Sequence, residues 1–155
     1  MLKVRQWAVT HSKSFECLYN TFEKVLIKIH PLLAKIGFER LEKPVAKVEQ
    51  WCKGLLFDCK MCGQCALSST GMSCSMNCPK NLRNGPCGGV RQNGHCEVKP
   101  EMRCVWMEAW RGSQNMNAGE RINIVQLSVD HSQQGSSSWL RKINEIVQQH
   151  EPKQK

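Results

Sequence analysis

The residues with the most chemistry to offer are cysteines. There are ten in 155 positions, and nine of them lie between Cys52 and Cys104. Eight form a spaced series: Cys59, Cys62, Cys65, Cys74, Cys78, Cys87, Cys96 and Cys104. The pattern reads C-x2-C-x2-C-x8-C-x3-C-P-x7-C-x8-C-x7-C. Such a cluster is either a disulfide framework in an oxidising compartment or a metal-binding set in a reducing one. The opening MLKVRQWAVTHSKS lacks the apolar core of a secretory signal. No apolar run approaches the roughly 18 residues of a membrane span. The expectation is therefore a cytoplasmic chain whose cysteines bind metal.

The C-x2-C-x2-C triplet wraps three thiolates around one side of a compact centre, the opening of a ferredoxin-type run in which a further Cys precedes Pro. Cys78-Pro79 supplies that element, displaced from the triplet. Structural zinc sites more often use two separated C-x2-C pairs, so the triplet favours iron–sulfur over zinc. Eight thiolates match two four-thiolate sites, for two 4Fe–4S clusters or for one cluster and one zinc. Gly63, Gly85, Gly88 and Gly89 sit beside these cysteines. They can let the backbone approach sulfur closely or adopt positive φ, or merely make turns. Cys17 and Cys52 fall off the spacing, in helical stretches, and read as small buried apolar residues. His95, next to Cys96, reads as a loop histidine. Trp106 and Trp110, four apart, read as one helical face packed over the cysteines or against a partner. Glu97 and Glu101 carry no mark of an acid/base pair, and no G-x-G-x-x-G, Walker or nucleophile-elbow motif occurs.

These residues need elements to position them, and 58–111 cannot build a conventional core. Leu67, Leu82, Val90, Val98 and Val105 are nearly all its large aliphatic residues, among many Gly, Asn, Pro and Ser. Metal must organise it, as in other small metal-dependent units. Upstream, Phe15, Leu18, Tyr19, Phe22, Val25, Leu26 and Ile29 mark one face of a helix. Ser14 is its expected N-cap, Pro31 ends or kinks it near His30, and Gly37 stops the stripe. Lys13, Lys24 and Lys28 form its polar side, read as a solvated or partner-packed face rather than a membrane-surface one. A second helix with Pro44 in its first turn would bury Val45, Val48, Trp51, Cys52 and Leu55. Downstream, Ile122, Ile124, Leu127 and Val129 suggest an extended segment. Residues 131–138 read as a loop. Ser138 would cap a short helix facing inward with Trp139, Leu140, Ile143, Ile146 and Val147, and residues 151–155 read as frayed.

The expected fold is thus a small irregular α+β one, a cysteine-rich, metal-organised core preceded by two amphipathic helices. Its regions are 1–57 (helical), 58–111 (metal-binding) and 112–155 (extended segment plus short helix). The formal net charge is +9, but it is spread along the chain. Residues 1–58 hold ten basic and six acidic side chains, 59–111 seven and three, and 112–155 five and four. Eight metal-bound thiolates on two clusters would lower the net charge to about +5. With few aromatics and no clustered basic face, nucleic acid is not the expected partner.

Residues 59–106 carry a resemblance. C-x2-C-G-x-C is followed by C-x3-C-P-K-x-L-R-N-G-P-C-G-G-V-R, then N-G-x-C-E-V and C-V-W. This series resembles the methylenetetrahydrofolate reductase C-terminal family, the cysteine-rich small subunit that accompanies a flavin-bearing reductase. The stretch Asn81–Arg91 (NLRNGPCGGVR) is its most distinctive part, and the likeness covers about a third of the chain. The resemblance implies a subunit that is not catalytic alone. It implies docking on a barrel-shaped flavoprotein that reduces 5,10-methylenetetrahydrofolate to 5-methyltetrahydrofolate. It further implies one or two 4Fe–4S clusters, with zinc as an alternative second metal, that pass electrons toward the partner's flavin. By motif match, Cys59, Cys62, Cys65, Cys74, Cys78, Cys87, Cys96 and Cys104 would be the ligands. The alternative role is a zinc-stabilised structural adaptor of the same complex without redox work.

Overall fold

The computed structural model describes residues 2–150; the frayed end expected at 151–155 lies outside them. Five helices form: α1 (Leu2–Thr10), α2 (Ser12–Ile36), α3 (Phe38–Phe57), α4 (Val105–Asn115) and α5 (Ser138–His150). Single 3-10 turns occur at Ser75–Asn77, Gly119–Asn123 and His131–Gln133. Among the described residues there is no strand, only an isolated bridge between His95 and Arg103. The fold is helical, and the expected α+β class is wrong.

The reason lies in the backbone. Between Asp58 and Gly94 the chain takes positive φ at Asp58, Met61, Gly63, Gly71, Met72, Asn81, Gly85 and Gly94. It turns too often to extend. The alternating segment after Asn123 finds no strand to pair with. Instead Asn84 holds it, donating from Nδ2 to the Gln126 carbonyl at 2.9 Å and accepting the Gln126 N–H at 2.6 Å.

Three helices, not two, precede the cysteines. Ser14 is not a cap: α2 begins at Ser12, and the Ser14 N–H already bonds the His11 carbonyl. Pro31 and Pro44 both lie inside helices. Each removes one N–H from the ladder, and the helix runs on. Gly37 makes the corner between α2 and α3 as expected, with φ 95° and its N–H on the Leu33 carbonyl.

The faces are the larger correction. In α3 the buried residues are Ala46, Glu49, Lys53 and Phe57, while Val48, Trp51 and Leu55 point outward, Trp51 at 71% exposure. Glu49 and Lys53 can turn inward because α5 meets them with Ser137 and Ser138, which satisfy the buried charges. Of the apolar row found by periodicity, Val48, Trp51 and Leu55 are left outside, while Val45 and Cys52 are half-buried.

The central core joins Ala8, Phe57, Leu67, Met72 and Met116, with Phe15, Leu56, Cys65 and Cys74 packed around it. Phe15 and Phe57 meet edge to face with ring centroids 5.4 Å apart. Two contacts seat α4. Gly71, at φ 58°, meets Gly112 backbone to backbone, where a side chain on either would collide. The buried Glu16 carboxylate accepts the Asn117 and Ala118 N–H groups at 2.7 and 2.9 Å. Helix α5 buries Leu140 and Ile143 as expected, but the Ser137 hydroxyl, not that of Ser138, accepts the Leu140 N–H that opens it. Among the described residues no helix is long and apolar enough to cross a membrane.

Candidate functional site

The C-terminus of α3 aims the chain into the cysteine segment. Asp58 takes the left-handed conformation that ends a helix, its N–H on the Gly54 carbonyl at 3.1 Å. Met61 and Gly63 then turn the chain again, with φ 48° and 71°. Gly63 is required here: a side chain would strike the Gln133 carbonyl and the Ser136 hydroxyl. The loop closes on the 3-10 turn at Ser75–Asn77, whose Asn77 side chain donates to the Phe57 carbonyl at 3.0 Å. The result is one pocket lined by Cys59, Cys62, Cys65 and Cys74. All four are free thiols. The Met61 N–H points at the Cys59 sulfur, 3.4 Å away.

Glu49, Lys53 and Ser138 line the same pocket. Lys53 Nζ donates to Glu49 Oε1 at 2.7 Å and to the Ser138 hydroxyl at 2.9 Å. Burial alone would pull Lys53 down, but the Cys65 and Glu49 charges outweigh it and hold the ammonium above its ordinary range. Burial would likewise raise Glu49, yet Lys53 and the two serines hold it below the usual carboxylate value. The hydrogen bond from Cys74 pulls the Cys59 thiol down against the effect of burial, with help from the Met61 N–H and Lys53. The same bond, together with burial, pushes Cys74 up. A thiol held in its anionic form is a nucleophile and a metal ligand.

The other four cysteines are less gathered. Cys78 packs against Cys96, Met102 and Val105. Cys96 and Cys104 lie on a small hairpin closed by Cys96 N–H on the Met102 carbonyl and Cys104 N–H on the Gly94 carbonyl, both 2.9 Å. Cys104 packs into a separate group with Trp106 and Ala109. Cys87 is half-buried in its own loop and joins neither group. Among the described residues no three Cys, His, Asp or Glu side chains converge closely enough to hold a single metal ion.

Gly85 takes positive φ and Gly89 lies against the Glu97 carboxylate, while Gly88 does neither. His95 bonds its neighbour Asn93. Trp106 is buried, donating to the Leu82 carbonyl at 3.1 Å, but Trp110 is exposed. Glu97 and Glu101 share no helix, and Glu97 pairs with Lys80. Cys17 is exposed, not buried: it lies on the polar side of α2. Sequence reasoning missed Glu49, Lys53 and Ser138. The available signal was the i,i+4 Glu–Lys spacing on the same face as Ala46 and Phe57.

Compared with known proteins, residues 38–132 match the family described as methylene-tetrahydrofolate reductase C terminal. The match spans more than half of the chain, and the chain belongs to that family. No curated protein and no solved structure matches it.

Proposed function

We propose that this chain is an accessory subunit of a methylenetetrahydrofolate reductase in one-carbon folate metabolism. It holds iron–sulfur clusters on its cysteines and passes electrons toward the flavin of the reductase subunit on which it docks. The observation that carries the reading is the lining of one pocket by Cys59, Cys62, Cys65 and Cys74. The donor set fits the group: four thiols, one of them drawn toward thiolate, beside a buried cation. A cluster takes one thiolate on each of several irons, so its ligands surround a pocket, whereas a single zinc needs all of its ligands at one point. When bound, such a cluster supplies a one-electron carrier. Cys78, Cys87, Cys96 and Cys104 would hold the second group.

The other residues serve that set. Lys53 offsets the negative charge that thiolates bring into a buried pocket. Glu49, Ser137 and Ser138 fix the ammonium in place. Met61, Leu67 and Ala66 keep water from the thiols.

The test is anaerobic purification of the full chain with a visible spectrum and iron, zinc and sulfide counts. About eight iron and eight sulfide per chain, bleaching on reduction, is the expected result. Cys62→Ser should lose about half of each, and Cys17→Ser none. Zinc alone in a colourless sample would overturn the electron-transfer reading in favour of a structural adaptor.

A further inference from the structure

The outer face of the α2–α3 hairpin is apolar, notched and edged with cations. The two helices run antiparallel, since Phe15 meets Phe57 at one end and His30 meets Phe38 at the other. Each turns its polar and small residues inward: Ser12 and Glu16 on α2, Ala46, Glu49 and Lys53 on α3. Each leaves an apolar row outside at helical spacing, Leu18, Val25 and Leu32 on α2 and Val48, Trp51 and Leu55 on α3. An unpartnered apolar surface of this kind marks an interaction site.

Two features say what covers it. The first is shape. Between α2 and α3, bordered by Leu18 of the outer row, opens a cavity of about 290 Å³ lined by Phe15, Phe22, Cys52, Leu56 and Cys65. A lipid surface is flat and would bridge this notch, whereas a side chain carried on a helix would fill it. The second is charge. Lys28 stands one helical turn from Val25 and Leu32, Lys35 one turn from Leu32, and Lys47 one turn from Trp51. With Arg40 these cations are exposed, and among the described residues none pairs with a carboxylate. The glutamates of the hairpin turn the other way: Glu16, Glu23, Glu42 and Glu49 are all engaged inside, and Glu39 alone is exposed. A second copy of the same face would set cation against cation.

We propose that this face docks a partner protein through an amphipathic helix whose apolar side chains enter the cavity and whose flanking positions are carboxylates. Helix α2 lies outside the residues matched to the family, and the proposal stands whatever the cysteines bind. Cys65 lines both this cavity and the thiol pocket, so the docked side chain touches the wall of the candidate centre.

The test uses the full chain with three probes. These are a synthetic helical peptide with a Leu/Phe stripe flanked by glutamates, its twin with lysines in place of the glutamates, and phosphatidylcholine vesicles with and without phosphatidylglycerol. The acidic peptide should bind, the lysine twin should not, and affinity should fall as salt rises. Trp51→Ser with Leu55→Ser, and separately Lys28→Glu with Lys47→Glu, should each weaken the acidic peptide about tenfold. All four positions are exposed, and circular dichroism checks that the helices persist. Equal binding of the two peptides, no binding of either, or no effect of the variants overturns the proposal. Retention on phosphatidylglycerol vesicles without peptide binding assigns the face to a lipid surface. A concentration-dependent dimer abolished by Trp51→Ser assigns it to self-association.

Discussion

A lysine that is 5% exposed beside four thiols needs a reason to stay charged, and Glu49 is that reason. Removing one partner of a buried pair strands the other charge, which typically costs about 3–5 kcal/mol. Lys53→Met should therefore destabilise the chain on that scale in chemical denaturation. The double variant with Glu49→Leu should lose much less than the sum of the two single losses. The pair also sets a pH dependence. The folded-state pKa of Glu49 lies below its ordinary value of 4.5. Its contribution is thus complete above that value and is lost as pH falls through the folded one. Glu49→Gln should flatten the acid limb of a stability–pH curve below about pH 5 while leaving the neutral region parallel.

At this same scale the cysteine spacing was readable, because thiols are rare and their intervals are direct constraints on a centre. Glu49 and Lys53 were not. A charged pair at helical spacing looks the same on paper whether water or two serines satisfy it. Only the arrival of Ser137 and Ser138, 88 and 89 residues from Glu49, distinguishes them. Cys17 shows the converse: one turn from Lys13 and two from Lys24, it falls on the polar side that the lysines already marked, and it is exposed.

At the scale of elements, the existence of α2, α3 and α5 was legible, but that of α1 was not, and neither was the direction the helix faces turn. The stripes of α2 and α3 are real, but periodicity reports that a face is apolar, not what lies against it. The inner side of α3 instead goes to a salt bridge and to Phe57. Two glycines test how tightly the elements are set. Gly112 on α4 rests on the Gly71 backbone with no room for a methyl group. Gly112→Ala should cost about 1–3 kcal/mol by overpacking, read as a lower Tm. Gly54 lies inside α3 with nothing within 4 Å of its missing side chain. Gly54→Ala should raise stability by up to about 1 kcal/mol, since alanine is the better helix former and the site is open. If Gly112→Ala left Tm unchanged or raised it, the packing of α4 on the Gly71 turn would be wrong.

For the whole molecule, stability divides between two sources. Helices α1, α2 and α3, with Met116 just past the end of α4, share a core around Ala8, Phe57, Leu67 and Met72. The stretch between Asn77 and Cys104 has no helix, and its buried apolar side chains are Cys96, Met102 and Cys104. Its backbone is held largely by turns, by the hairpin around His95 and Arg103, and by surface pairs such as Lys80–Glu97. Such a segment opens locally at low cost unless something bridges its cysteines. Ligand binding adds stability to whatever it bridges. The expected outcome of metal removal is therefore uneven. Comparing metal-loaded and chelator-treated chain by amide hydrogen exchange, protection should fall steeply over residues 78–104 and at Cys59, Cys62 and Cys65. It should change least in α1 and in the first half of α2, which pack on Phe57 as well as on the thiol loop. Uniform loss across the chain would mean that metal organises the whole fold, helices included. No loss at 78–104 would mean that the four later cysteines hold nothing, leaving the pocket below Lys53 as the single centre.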